Sequence, residues 1–99
     1  MDFVASEGTP VYASLTGKVV LAQELFYTGK TVVIDHGKGL FTLYAHLSRI
    51  SVKEGEMVKR GKIIGNVGST GRSTGPHLHF GVYLVGMRID PDLVFRLKL

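Results

Sequence analysis

Four histidines carry most of the chemistry available to this sequence, which has no cysteine and so no thiolate ligand, thiol nucleophile or disulfide. His77 and His79 stand in His77-Leu78-His79-Phe80, a strand-like run. The two-residue period of a strand sets both imidazoles on one face, about 7 Å apart, with Leu78 and Phe80 on the other. One such imidazole can hold a metal while its neighbour addresses the water or substrate beside it. A chance pair of surface histidines has the same spacing, so the pattern alone leaves both readings open. His46 closes Leu43-Tyr44-Ala45-His46, which puts Tyr44 and His46 on one face and reads either as a hydrogen-bonded edge residue or as a third active imidazole. His36 sits at a turn and reads as structural, with Asp35 serving the turn backbone. The stretch from Gly68 to Pro76 is a connector that delivers the chain into His77. No Gly-Lys-Ser/Thr opens a helix there, so it is not a phosphate-binding loop, and Ser69 and Thr70 receive no catalytic role.

The elements that must position these histidines are short strands. Thirteen glycines punctuate runs rich in Val, Ile, Leu, Tyr and Thr. The runs are Val11 to Ala13, Lys18 to Gln23, Thr31 to Asp35, Leu40 to His46, Lys62 to Val67 and His77 to Val85. Gly37-Lys38-Gly39 makes a hairpin of the third and fourth. Gly86 marks a further turn before Arg88-Ile89. No window keeps a 3.6-residue period, so no long helix is expected. Asp90 as N-cap and Pro91 at the first helical position predict one short helical turn over Asp92 to Phe95. A faint internal echo runs from Gly8-Thr9-Pro10-Val11 and Gly17-Lys18-Val19-Val20 to Gly55-Glu56-Met57-Val58 and Gly61-Lys62-Ile63-Ile64, as in a duplicated half-motif.

Composition bounds the function classes. Ninety-nine residues, 44% hydrophobic and 20% charged, make one globular domain with a modest core. No apolar run approaches the roughly 20 residues of a membrane-spanning helix. The start, Met-Asp-Phe-Val, has no signal-type character, so any export signal lies elsewhere. The net charge of +4 and pI near 9.6 favour anionic partners. The twelve Lys and Arg are scattered without interleaved aromatics, which argues against nucleic acid.

The motifs taken in order resemble the lysostaphin- and LytM-type zinc endopeptidases. Gly8-Thr9-Pro10-Val11-Tyr12-Ala13, Val33-Ile34-Asp35-His36-Gly37, Thr42-Leu43-Tyr44-Ala45-His46-Leu47-Ser48, Gly55-Glu56-Met57-Val58-Lys59-Arg60-Gly61 and the run from Gly65 to Val82 carry that resemblance over nearly the whole chain. It implies an all-β fold, a small antiparallel sandwich or barrel with a groove. It implies one zinc ion held by Asp2 and His79, with His46 and His77 as catalytic histidines that polarise the attacking water or stabilise the tetrahedral intermediate. The implied substrate is a peptide bond of bacterial peptidoglycan, in the stem or the cross-bridge, and the implied location is the cell envelope. Read without the resemblance, Asp2 would be a frayed terminal residue.

The family's first motif is His-x-x-x-Asp. Counting back from Asp2 leaves the sequence, so the expected site is incomplete here and the domain, residues 1–99, is read as truncated at its N-terminus. A catalytic zinc normally takes three protein ligands. The alternative function is a non-catalytic binding or amidase-activating domain of the same family. A sugar-transport phosphocarrier and a biotinyl or lipoyl carrier fit less well, the last for want of the Met-Lys context of the modified lysine.

Overall fold

The computed structural model describes residues 2–70 and 77–84, and of residues 2–4 and 77 the backbone alone. The strands are β1 (Asp2–Val4), β2 (Pro10–Tyr12), β3 (Gly17–Leu25), β4 (Gly29–Asp35), β5 (Leu40–Ile50), β6 (Met57–Val58), β7 (Ile63–Val67) and β8 (His77–Leu84). They form one curled antiparallel sheet, a half-barrel, in the order β1-β8-β5-β4-β3-β6, with β7 pairing both β2 and β5. No helix occurs among the described residues. The expected turn at Gly86, the Arg88-Ile89 segment and the helical turn at Asp92 to Phe95 lie outside them.

Each long strand forms for a local reason. The β4–β5 connection turns through Gly37, Lys38 and Gly39, all at positive φ, and the Gly37 N–H is capped by Asp35 Oδ1 at 2.8 Å. Asp35 therefore serves the turn as its sequence suggests. β-branched and aromatic residues then alternate inward along β3, β4 and β5, and the core gathers Val19, Val32, Ile34, Tyr44, Leu47, Val58, Ile64 and Phe80. Burying such side chains contributes about 1.5–3 kcal/mol each.

β5 extends four residues beyond its expected end at His46, because past a bulge it pairs with β7. Lys30 pairs with Leu47 and Val32 with Tyr44, so three steps along β5 oppose two along β4. Within the extra length His46 adopts φ 59, a left-handed conformation uncommon for any residue but glycine. Before the bulge β5 pairs with β8, from Leu40↔Leu84 to Ala45↔His79; after it β5 pairs with β7, from Leu47↔Val67. One strand thus serves two neighbours on the same edge.

The internal echo is real in the backbone, in a different register from the one the sequence suggests. Gly8 donates its N–H to the Val67 carbonyl and Val67 donates to Thr9; Gly55 donates to Val19 and Val19 to Glu56. Both bends close alike, Thr9 N–H to Ser6 O and Glu56 N–H to Lys53 O, and Gly8 and Gly55 share φ 89. These bonds equate Gly17 with Gly65, not with Gly61. A Cβ on Gly17 would stand 2.5 Å from the Asp35 carbonyl oxygen, and one on Gly65 would stand 2.4 Å from that of Arg49. Each half lends its bend to the other half's strand, β2 to β7 and β6 to β3.

Candidate metal and catalytic site

The histidines separate into one structural residue and a cluster. His36 spends both ring nitrogens within the fold: Nδ1 lies 2.8 Å from the Thr16 carbonyl oxygen and Nε2 lies 2.7 Å from Thr42 Oγ1. Thr42 continues to the Tyr44 hydroxyl at 3.0 Å, and that hydroxyl also meets Ser14 Oγ and the Ser14 N–H. The turn histidine is structural, as its position suggests.

His46 and His79 come together. Their ring centroids are 6.3 Å apart with an interplanar angle of 63°. β8 supplies His79, whose cross-strand partner on β5 is Ala45, a buried residue with only a methyl group to place there. Phe80, the next residue, turns to the core and packs on Tyr44 at 5.3 Å. Tyr44 and His46 therefore do not share a face. The bulge breaks the two-residue period between them and sends His46 to the side of His79. The consecutive apolar residues Leu43, Tyr44 and Ala45 were the available sign that alternation fails in this stretch.

Among the described residues, the contacts that hold His46 include three. Its N–H donates to the Thr28 carbonyl at 2.7 Å, its Nδ1 meets the Thr70 carbonyl at 2.6 Å, and its ring stands edge-on to His79. A carbonyl oxygen only accepts, so Nδ1 carries a proton and, in the neutral ring, Nε2 is the accepting nitrogen. Thr28 ends the β3–β4 turn, whose exposed Phe26 and Tyr27 meet edge-to-face at 4.9 Å. Thr70, dismissed on sequence, is thus in contact with the cluster, as is Thr28; neither carried a distinguishing spacing.

β1 brings in the remaining candidate. Asp2 pairs with His79 and Val4 with His77, so Asp2–Val4 lie in a strand of the sheet. Directly opposed residues in an antiparallel ladder are about 4.5–5.5 Å apart at Cα. The side chains of Asp2 and His77 lie outside the described part of the structure. Among the described residues no group of three or more His, Cys, Asp or Glu side chains gathers at one point. A carboxylate and an imidazole on opposed residues fit zinc in donor type and supply two donors. On the other face of the same strands, Leu78, Phe80, Tyr44 and Val11 line an apolar recess of about 300 Å³, whose described lining includes no histidine.

A curled antiparallel half-barrel with an imidazole pair at a strand bulge defines a class that comparison with known proteins names. Residues 1–91 match peptidase family M23, and the chain belongs to that family. It is 48% identical over 89 residues to the peptidoglycan DD-endopeptidase ShyA of Vibrio cholerae, a match covering 90% of this chain and 21% of that protein. It is 47% identical over 91 residues to the DD-carboxypeptidase/endopeptidase Mpg of Neisseria meningitidis, covering 92% and 21%. The chain thus spans about a fifth of the length of these curated relatives. Among solved structures, the catalytic domain of the antimicrobial peptidase lysostaphin from Staphylococcus simulans superposes with a TM-score of 0.83 at 40% identity, covering 96% of this chain and 76% of that one. A zinc-containing peptidase from Vibrio cholerae superposes with a TM-score of 0.83 at 45% identity, covering 90% and 28%.

Proposed function

We propose that this domain is the catalytic part of a zinc-dependent endopeptidase that hydrolyses peptide bonds in bacterial peptidoglycan at the cell envelope. Asp2 and His79 are the proposed metal ligands, and His46 and His77 the proposed catalytic histidines. The observation that carries the reading is the convergence of His46 on His79 beside a strand that opposes Asp2 to His79. Family membership and a zinc-containing relative at 45% identity support the choice of metal. The two DD-peptidase relatives favour a D,D-linkage of the cross-linked stems over a glycine bridge.

When bound, zinc polarises the scissile carbonyl and lowers the pKa of water to about 7. The chain's own residues do the rest. His46, its Nδ1 proton committed to Thr70, receives or returns a proton at Nε2. His77, two residues before His79 on the same strand, stabilises the charge that develops on the carbonyl oxygen. Phe26 and Tyr27 stand exposed on the turn that anchors His46.

Two ligands hold zinc more weakly than three, so residues 1–99 alone are expected to be inactive or nearly so. The deciding experiment is metal content by mass spectrometry, and release of D,D-linked muropeptides, for this chain and for a version extended upstream through a His-x-x-x-Asp motif. Near-stoichiometric zinc and cleavage in the extended form, both lost in His79→Ala, and cleavage alone lost in His77→Ala, are expected. Absence of zinc and cleavage from both lengths would instead favour a non-catalytic, amidase-activating role.

A further inference from the structure

The break in the β4–β5 ladder beside His46 is filled by one hydroxyl group. Lys30 and Leu47 are register partners at the bulge. Thr70 bridges the two: the Lys30 N–H donates to Thr70 Oγ1 at 3.0 Å, and Thr70 Oγ1 donates to the Leu47 carbonyl at 2.7 Å. A threonine hydroxyl has one proton and two lone pairs, so it can do both at once. The same residue's carbonyl takes the Nδ1 proton of His46, the residue before Leu47.

The approach of this segment to the bulge is set two residues earlier. Gly68 lies so close to β5 that a Cβ there would stand 2.4 Å from the Ser48 nitrogen. Ser48 Oγ in turn donates to the Val67 carbonyl at 3.0 Å, and Lys30 Nζ donates to the Ser48 carbonyl at 3.0 Å. Thr70 is thereby fixed from both sides, and with it the acceptor that faces His46.

We infer that Thr70 is the positioning residue for His46: its side chain closes the opened ladder, and that closure holds its carbonyl where it selects one tautomer and one orientation of the imidazole. The consequence for catalysis rests on the function proposed above; the tautomer does not. Which ring nitrogen carries the proton is set by the bond the other makes, and proton transfer needs the accepting nitrogen aimed at the reacting group. Thr70→Val keeps the shape and removes both hydroxyl bonds, whereas Thr70→Ser keeps them.

The test reads the ring directly, in this chain, by nitrogen-15 NMR of the histidine side chains at a pH where they are neutral. His46 is expected in the Nδ1–H form in the parent and in Thr70→Ser. In Thr70→Val the other tautomer should become severalfold more populated. His36, held by Thr16 and Thr42, reports on the fold and should keep its signals in all three. Unchanged His46 signals in Thr70→Val with intact His36 signals would overturn the inference, and so would a Ser variant that behaves like Val. In an active longer form, Thr70→Val should lower kcat about tenfold or more, within the ~100-fold that a 1 Å misplacement costs, with KM and zinc content unchanged. A loss confined to zinc content would also overturn it.

Discussion

Replacing His46 by alanine and by glycine should separate the chemistry of this residue from the backbone it occupies. Both variants remove the imidazole, its contact with Thr70 and its approach to His79, so those losses cancel between them. What differs is the tolerance of φ 59. A left-handed conformation costs a residue with a Cβ about 1–2 kcal/mol and glycine essentially nothing. Glycine gives back about 0.5–1 kcal/mol through the greater freedom of its unfolded chain. His46→Gly is therefore expected to be more stable than His46→Ala by about 0.75 kcal/mol at the centre of these ranges, with extremes of about 0 and 1.5. For a domain of this size each kcal/mol moves Tm by about 4–8 °C, so the central value puts the two melting curves about 3–6 °C apart. Thermal unfolding followed by circular dichroism, with urea midpoints at constant m, measures the gap. Neither variant should support cleavage in an active longer form. An alanine variant as stable as the glycine variant would refute the argument that the bulge stores strain at His46.

Gly17→Ala and Gly65→Ala should damage the fold to a similar degree, by about 1–3 kcal/mol or more, since each added methyl meets a backbone carbonyl at under 3 Å in an equivalent place; denaturant midpoints for the pair test the duplicated architecture. Tyr44→Phe removes the hydroxyl shared by Thr42, Ser14 Oγ and the Ser14 N–H and should cost about 1–3 kcal/mol, read as a lower Tm with the sheet retained. His36→Ala should lower stability in the same way while leaving zinc uptake and kcat of an active longer form unchanged; a loss of metal would contradict its structural assignment.

How much of this was legible in the sequence depends on what each feature rests on. Strand positions follow from side-chain type and glycine punctuation, which act locally, and so β3, β4, the first part of β5 and β8 lie where the pattern puts them. The hairpin at Gly37-Lys38-Gly39 and the turn roles of Asp35 and His36 are local too. The second part of β5 was not legible, because it exists by virtue of β7, whose paired residues lie about 15 to 20 positions further on. β6 is two residues long and forms only because Gly17 and Lys18 lie alongside. The true register of the internal echo escaped for the same reason: Gly17 and Gly65 are alike in what approaches them, and their neighbours in sequence differ.

The candidate site shows this limit most sharply. Periodicity could place His79 opposite Phe80 across the sheet, and it did so correctly, because β8 is regular through these residues. The same rule applied to β5 put His46 with Tyr44, and there it failed by one residue. That residue decides whether the proposed site forms. An unbroken β5 would have left its imidazole on the side of the sheet that holds Tyr44 and Phe80, among apolar neighbours and across the sheet from His79. The bulge turns it out, the change of partner from β8 to β7 makes room for the connector carrying Gly68 and Thr70, and Thr70 then mends the ladder the bulge has opened. Strain at His46 and order around it thus have one origin. A more regular sheet would carry no strain at His46, and it would lack the juxtaposition of imidazoles on which the proposed hydrolysis depends.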